Sequence, residues 1–191
     1  HFARFFDLDL RLNFRGVRSQ YLFFKNEKIL PENYNWTYCS QDETSFNRIT
    51  EPSSMTKAVA PSGYSYICVE TTFPSGKVEK IKNSYKEVID WLENQKGFNS
   101  NGYIPELNTE NVEHFVYPIQ DKNFRTSLAK YNSLTSKFSN LSVMGTSGEF
   151  HYSDMQIIFR KSKTFVEGYL SKINDTNKRL SLIHISEPTR L

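Results

Sequence analysis

Residues 141–156 read Leu-Ser-Val-Met-Gly-Thr-Ser-Gly-Glu-Phe-His-Tyr-Ser-Asp-Met-Gln. The apolar run Leu141–Met144 predicts a short strand, Gly145 and Gly148 a tight turn, and Asp154 the start of a helix. Two glycines so spaced let a backbone turn sharply and let another molecule approach it closely. A helix start in turn presents unpaired backbone N–H groups, here near Met155 and Gln156, to an anion or electron-rich oxygen. Taken alone, the pattern is more often that of a plain structural turn.

Downstream of this stretch, Met155, Ile158, Phe159, Phe165, Val166, Tyr169, Leu170 and Ile173 recur at helical spacing, which predicts an amphipathic helix packed on one side. From Leu180 the chain reads Leu-Ser-Leu-Ile-His-Ile-Ser-Glu-Pro-Thr-Arg-Leu, which looks like a translated sequencing adaptor. Residues 180–191 are therefore set aside as a non-native tail. Upstream, alternation in Arg15–Lys25 predicts a buried strand, with Val17, Ser19, Tyr21 and Phe23 on one face. Trp36–Cys39 and Phe46–Thr50 predict a hairpin across the polar Ser40–Ser45, Pro52–Gly63 a loop, and Ser65–Phe73 another strand. At Ser84 the period changes. Ser84 and Glu87 form a capping-box pattern ahead of Tyr85, Val88, Ile89 and Leu92, a helix expected to end near Gly97. Asn99–Asn111 reads as a connection, Val112–Tyr117 as a strand closed by Pro118, and Phe124–Phe138 as a helix buried through Leu128, Tyr131 and Leu134. The expected architecture is α+β, a mainly antiparallel sheet over residues 1–138 with flanking helices, followed by the strand-turn-helix of 139–179.

The chain has 191 residues, enough for a continuous core, and is 38% hydrophobic and 24% charged, which excludes the disordered regime. A net charge of +3 with scattered basic residues gives no support to a nucleic-acid or membrane-surface role. No run approaches the roughly 20 apolar residues of a membrane span. Cys39 and Cys68 could pair, but inside strand-like segments buried free thiols are the commoner state, which suits a reduced, cytoplasmic setting. The chain opens His1-Phe2-Ala3-Arg4, without an initiating Met, and reads as a fragment truncated upstream.

The stretch Gly145-x-x-Gly148-Glu149-Phe150-His151-Tyr152-Ser153-Asp154-Met155 is similar to the C-terminal flavin-contacting motif of UDP-galactopyranose mutases and their amine oxidase-like, FAD-dependent relatives. Phe46-Asn47-Arg48-Ile49-Thr50-Glu51, Cys68-Val69-Glu70 and Tyr117-Pro118-Ile119 with Asp121 resemble other segments of that family, so the likeness spans roughly residues 10–173. The resemblance implies a substrate-binding sheet and a returning segment that closes the FAD site of a Rossmann-type domain lying in a missing N-terminal half. It implies cofactor contacts from Gly145, Thr146, Gly148, Asp154, Met155 and Gln156, with the helix start facing the pyrimidine edge of the flavin. Arg48, Tyr117 and Tyr152 would face the substrate, a nucleotide sugar or another polar metabolite. The chain departs from the family at Thr146, where an Arg is usual, and at Gln156, where an Asp is usual. Thr146 supplies neither fixed charge nor a bidentate fork, so sugar-ring mutase chemistry is less well supported than flavin binding.

The residues also admit plainer readings. Arg48 either holds a substrate phosphate or carboxylate or is ion-paired by Glu51 or Glu70; Tyr117 and Tyr152 either line a pocket or belong to a core. His114 and His151 lack ligand-spaced partners, so no metal site is expected. There is no nucleophile triad and no Gly-x-Gly-x-x-Gly for a pyrophosphate, so the fragment alone should not turn over substrate. Two rivals remain. One is a non-catalytic carbohydrate- or nucleotide-binding module stacking ligands on Tyr21–Phe24 and Trp36–Tyr38, and the other a flavoenzyme performing oxidation or desaturation.

Overall fold

Alternating burial along Asn13–Phe24 makes this segment strand β1, the rod to which two long neighbours pair. The computed structural model describes residues 10–25, 28–31, 34–40, 44–75, 77, 85–95 and 104–186, with side chains up to residue 174. The other strands are β2 (Trp36–Tyr38), β3 (Arg48–Thr50), β4 (Ser65–Pro74) and β5 (Leu107–Ile119). They form one sheet in the order β2-β3-β4-β1-β5, antiparallel at every pairing. The helices are α1 (Tyr85–Glu93), α2 (Phe124–Thr135), α3 (Gly145–Glu149) and α4 (Met155–Ser186). The expected mixed helix and strand class with an antiparallel sheet is therefore present. The chain divides into two compact units, 1–131 and 132–191, and the division falls within α2.

In the first unit the register decides which side chains share a face, because residues directly opposite in an antiparallel ladder point the same way. Leu22 stands opposite Ile67, and Gln20 opposite Val69, which in turn stands opposite Ile49. This face is buried: Leu22, Phe24, Ile49, Ile67 and Val69 pack with Phe46, Ile29 and Leu30 and with Val88, Ile89 and Leu92 of α1. Each such fully buried aliphatic or aromatic side chain contributes about 1.5–3 kcal/mol of transfer free energy. Trp91 of α1 meets the Phe46 ring edge-on at 5.7 Å, which fixes the helix over the hairpin end of the sheet. The cap expected at Ser84 and the helix end near Gly97 lie outside the described residues.

A buried carboxylate ties the entry segment to this core. Glu51, fully buried, accepts from the backbone N–H groups of Ile29 at 2.8 Å and Leu30 at 2.9 Å and from the Ser65 hydroxyl at 2.7 Å. Two 3₁₀ turns, Pro52–Ser54 and Lys57–Val59, occupy the segment expected to be loop.

Strand β5 is longer than expected and begins at Leu107, inside the segment read as a connection. Leu-Asn-Thr-Glu-Asn carries no apolar alternation, but its backbone pairs with β1 from Phe23↔Leu107 to Ser19↔Asn111. Neither does Pro118 close the strand, which runs on to Ile119. β5 is an edge strand, where a residue without an N–H costs no ladder bond.

In the second unit, two expectations are corrected. Leu141–Met144 is not a strand; no partner strand pairs with it among the described residues, and an extended segment with no ladder is not a sheet element. The turn expected at Gly145–Gly148 is the short helix α3, closed by Phe150 in the left-handed conformation at φ 50°. α4 does begin after Asp154, whose carbonyl accepts from Ile157 at 3.0 Å and Ile158 at 3.2 Å, and it continues to Ser186. The one-sided packing expected for α4 is found only near its start. Lys161 pairs with both carboxylate oxygens of Glu149 at 2.9 Å, Ser162 donates to the Met144 sulfur at 3.4 Å, and Ile158 lies beside Gly145. Farther along, Val166, Tyr169 and Leu170 are exposed, and Phe165 stacks on Tyr169 of its own helix, at 6.3 Å. No helix among the described residues is long and apolar enough to cross a membrane.

Candidate functional site

The sheet face opposite α1 is built by the same register. Tyr38 stands opposite Arg48, Arg48 opposite Glu70 and Glu70 opposite Ser19; one step along, Trp36, Thr50, Cys68 and Tyr21 form a second row. Trp36 and Tyr38 are exposed, and the strands beneath them present half-buried polar groups. This is an aromatic-edged polar platform rather than a core face.

Arg48 is the anchor of that platform. Its Nε donates to the Glu70 carboxylate, and its guanidinium lies 5.9 Å from the Tyr38 ring centroid. Of the two ion-pair partners open in the sequence, the structure selects Glu70, because Glu51 points to the other side and is consumed by backbone amides. The hydrogen bond to Glu70 holds the Arg48 proton more tightly than usual, against the opposing effect of burial; Tyr38 and Tyr117 act in the same direction, more weakly. Arg48 therefore remains a cation at any working pH, and its ring and carboxylate neighbours restrict its rotamers, which lowers the entropic cost of gripping an anion.

Tyr117 reaches the same face. It stands opposite Arg15, and β5 bulges between Tyr117 and Glu113 while β1 advances only from Arg15 to Val17. Arg15 donates to the Thr72 hydroxyl at 2.8 Å, and Thr72 lies opposite Val17. The sheet thus places Arg48 and Tyr117 on one face, together with Arg15, Thr72, Tyr38 and Glu70. Arg15 was legible in principle from the period-2 alternation that places it with Tyr21. Its role required knowing which face stays open.

Cys68 sits in this face with its thiol proton pushed up to about 11, first by burial and then by the nearby Glu70 carboxylate. No disulfide joins Cys39 and Cys68. At pH 8 the thiolate fraction of Cys68 should be roughly 100-fold below that of an ordinary thiol, and alkylation correspondingly slow. On a Cys39→Ser variant, iodoacetamide labelling should be near background at pH 8, rise steeply toward pH 11, and become fast in denaturant. Equal rates in native and denatured protein at pH 8 would refute this environment.

The residues expected to face a cofactor lie in the second unit. Gly145 adopts φ +78°, and a Cβ there would meet no atom closer than Ile158 at 4.0 Å, so its solvent side is open. Gly148 instead packs on the Val143 backbone, 3.4 Å from where a Cβ would stand. The Thr146 carbonyl accepts from Phe150 and from His151, the latter at 3.1 Å, which makes Thr146 a closing residue of α3. Asp154, Met155 and Gln156 are exposed, Met155 by 84%, and Gln156 donates to the Asp154 carboxylate at 3.3 Å. The head of α4 is open rather than buried against its own protein. Tyr152 is exposed beside it and belongs to no core. No cluster of His, Cys, Asp or Glu among the described residues could hold a metal ion.

No protein-family model matches this chain, and no curated protein matches its sequence. Among solved structures, reduced UDP-galactopyranose mutase superposes with a TM-score of 0.58 at 16% identity, over 74% of this chain and 30% of the other. The chain therefore spans about a third of the length of that structure, and at this identity the likeness establishes fold alone.

Proposed function

We propose that this chain is the substrate-facing part of an FAD-dependent mutase or oxidoreductase acting on a nucleotide sugar or another polar anionic metabolite. The observation that carries the reading is the open sheet face, on which Arg48, braced by Glu70 and Tyr38, shares a polar surface with Arg15 and Tyr117 in a fold like that of a flavin-dependent mutase. Arg48 would bind the substrate's phosphate or carboxylate, Tyr117 would position it, and the exposed ring of Trp36 or Tyr38 would stack on a sugar or base.

The second unit fits a flavin edge. The open head of α4 offers the backbone N–H groups of Met155 and Gln156, and the uncluttered Gly145 lets a planar ring approach the backbone. Bound there, FAD would supply the electron chemistry, while the chain's own residues bind, orient and exclude water. Because the Asp154 carboxylate stands at that helix start, the contact rests on directed N–H donors rather than on net positive charge. Thr146, engaged in closing α3, provides no cation to a sugar phosphate, which favours oxidation or desaturation over ring contraction. The exposed stripe of α4 at Val166, Tyr169 and Leu170 is the surface by which this segment would pack against the dinucleotide-binding half.

The test is the full-length parent. Purified, it should show a flavin absorbance spectrum, and Arg48→Ala should raise KM for the anionic substrate about 10- to 100-fold with the spectrum unchanged, the effect of losing a charge-assisted hydrogen bond. A colourless parent removes the flavoenzyme reading. It leaves a ligand-binding module, which the exposed Trp36 and Tyr38 on the Arg48 face would serve.

A further inference from the structure

Arg48 and Glu70 face each other across β3 and β4, and Arg48 Nε donates to the Glu70 carboxylate. With the Nε edge taken, a ligand is left the Nη end of the guanidinium. Arg48 keeps 33% of its side chain exposed, whereas Glu70 keeps 17%. A ligand therefore meets the cation first, with the carboxylate fixed behind it and only partly screened by water. Tyr38 lies over the guanidinium, its ring centroid 5.9 Å away, so Arg48 has two fixed neighbours and does not readily swing clear of Glu70.

Resting on the reading that this face holds the substrate, we propose that Glu70 determines its specificity by limiting the group held by Arg48 to a single negative charge. The substrate class is then a carboxylate, or a phosphate esterified on two sides, and the dianionic phosphate monoester is turned away. An isolated guanidinium attracts a dianion more strongly than a monoanion, since each added charge adds Coulomb energy. Beside Glu70 that gain is opposed. The first ligand charge completes a charge-assisted contact with Arg48, but the second meets a pair already neutral overall, whose negative end lies close by. It also adds desolvation cost, with no surplus cation in the pair to offset it.

Two further charged groups share the face. Arg15 is anchored on the hydroxyl of Thr72, two residues along β4 from Glu70, rather than on the Arg48–Glu70 pair. Glu113 stands opposite Val17 and accepts from Asn111 at 3.4 Å, so it strengthens the opposition to a second negative charge. Tyr38, Tyr117, Tyr21 and Cys68 are titratable neighbours on the same face, and burial holds the last two above their ordinary values.

NMR titration of the full chain with benzoate and with phenyl phosphate, at pH 5 and pH 8, tests the proposal. Benzoate is mainly a monoanion at both, whereas phenyl phosphate passes from monoanion to dianion at about pH 6. Titration of the protein's own groups affects both probes, so the ratio of their affinities reports the ligand's second charge. In the wild type, phenyl phosphate should bind no more tightly at pH 8 than at pH 5, relative to benzoate. In Glu70→Gln, which keeps the volume and an acceptor for Arg48 Nε, it should bind about 3- to 10-fold more tightly at pH 8, the range for one added charge near a partly exposed carboxylate. The proposal is overturned if the wild type already gains that factor, or if Glu70→Gln leaves the ratio unchanged; the face would then bind anions without this filter. If neither probe binds up to about 20 mM, or if Arg48→Ala leaves both bound as before, the proposal falls together with the reading that this face holds the substrate.

Discussion

Glu51→Ala is expected to lower the unfolding free energy of the sheet unit by about 4 kcal/mol, a large fraction of the 5–15 kcal/mol typical of a folded domain. The argument is one of orphaned donors. The carboxylate accepts from Ile29 N–H at 2.8 Å and Leu30 N–H at 2.9 Å, and from the Ser65 hydroxyl at 2.7 Å, at a position with no solvent exposure. Removing it leaves two buried amides with no water to turn to, each costing about 1–3 kcal/mol, and opens a cavity, while Ser65 keeps a partner in Ser53. The neighbouring Ile29 and Leu30 are themselves core residues, so releasing their backbone also loosens the packing over Phe46 and Leu22. Glu51→Gln should cost less than half as much, since it keeps the volume and one acceptor oxygen while facing the second amide with an NH₂. Urea unfolding followed by tryptophan fluorescence reads the effect directly, because Trp36 and Trp91 both lie in the sheet unit. Equal midpoints for wild type and Glu51→Ala would refute the anchoring role.

Gly16→Ala is expected to cost about 3 kcal/mol, at the upper end of the usual range for overpacking. No unusual dihedral is involved; the constraint is space. A Cβ on Gly16 would lie 2.4 Å from Cζ of Phe73 and 2.7 Å from the backbone carbonyl oxygen of Glu113. The ring cannot swing aside freely, because Phe73 is buried and meets His114 edge-on at 5.6 Å. The carbonyl belongs to β5 at its bulge, so relieving that contact means moving an edge strand off β1. Adding Phe73→Ala should recover only part of the loss, since the contact with Glu113 persists. Full recovery in the double variant would show that the ring alone carries the constraint. A shift in the slope of the urea transition, rather than its midpoint, would signal that β5 has detached.

The two substitutions mark where local pattern stops being informative. An isolated glycine within a strand pattern signals close approach of another group, but which group approaches Gly16 depends on β4 and β5 arriving from distant parts of the chain. Likewise, the sequence offered Arg48 two carboxylates, Glu51 and Glu70. Only the register Arg48↔Glu70, with Glu51 turned to the core side, decides between them.

The amino-acid order by itself determined β1, β4, the β2–β3 hairpin strands and the buried stripe of α1, because in each the apolar period is that of the element and a one-residue slip would exchange its faces. Tertiary structure alone decided that Leu107–Asn111 is strand, for its polar residues owe their conformation to hydrogen bonds from β1 rather than to burial. It decided that Leu141–Met144 is not a strand, since an apolar run becomes one only where a partner backbone lies alongside. It also decided which sheet face is core and which is an open platform for Arg48 and Tyr117, because that depends on where α1 packs, a choice made by contacts far apart in sequence.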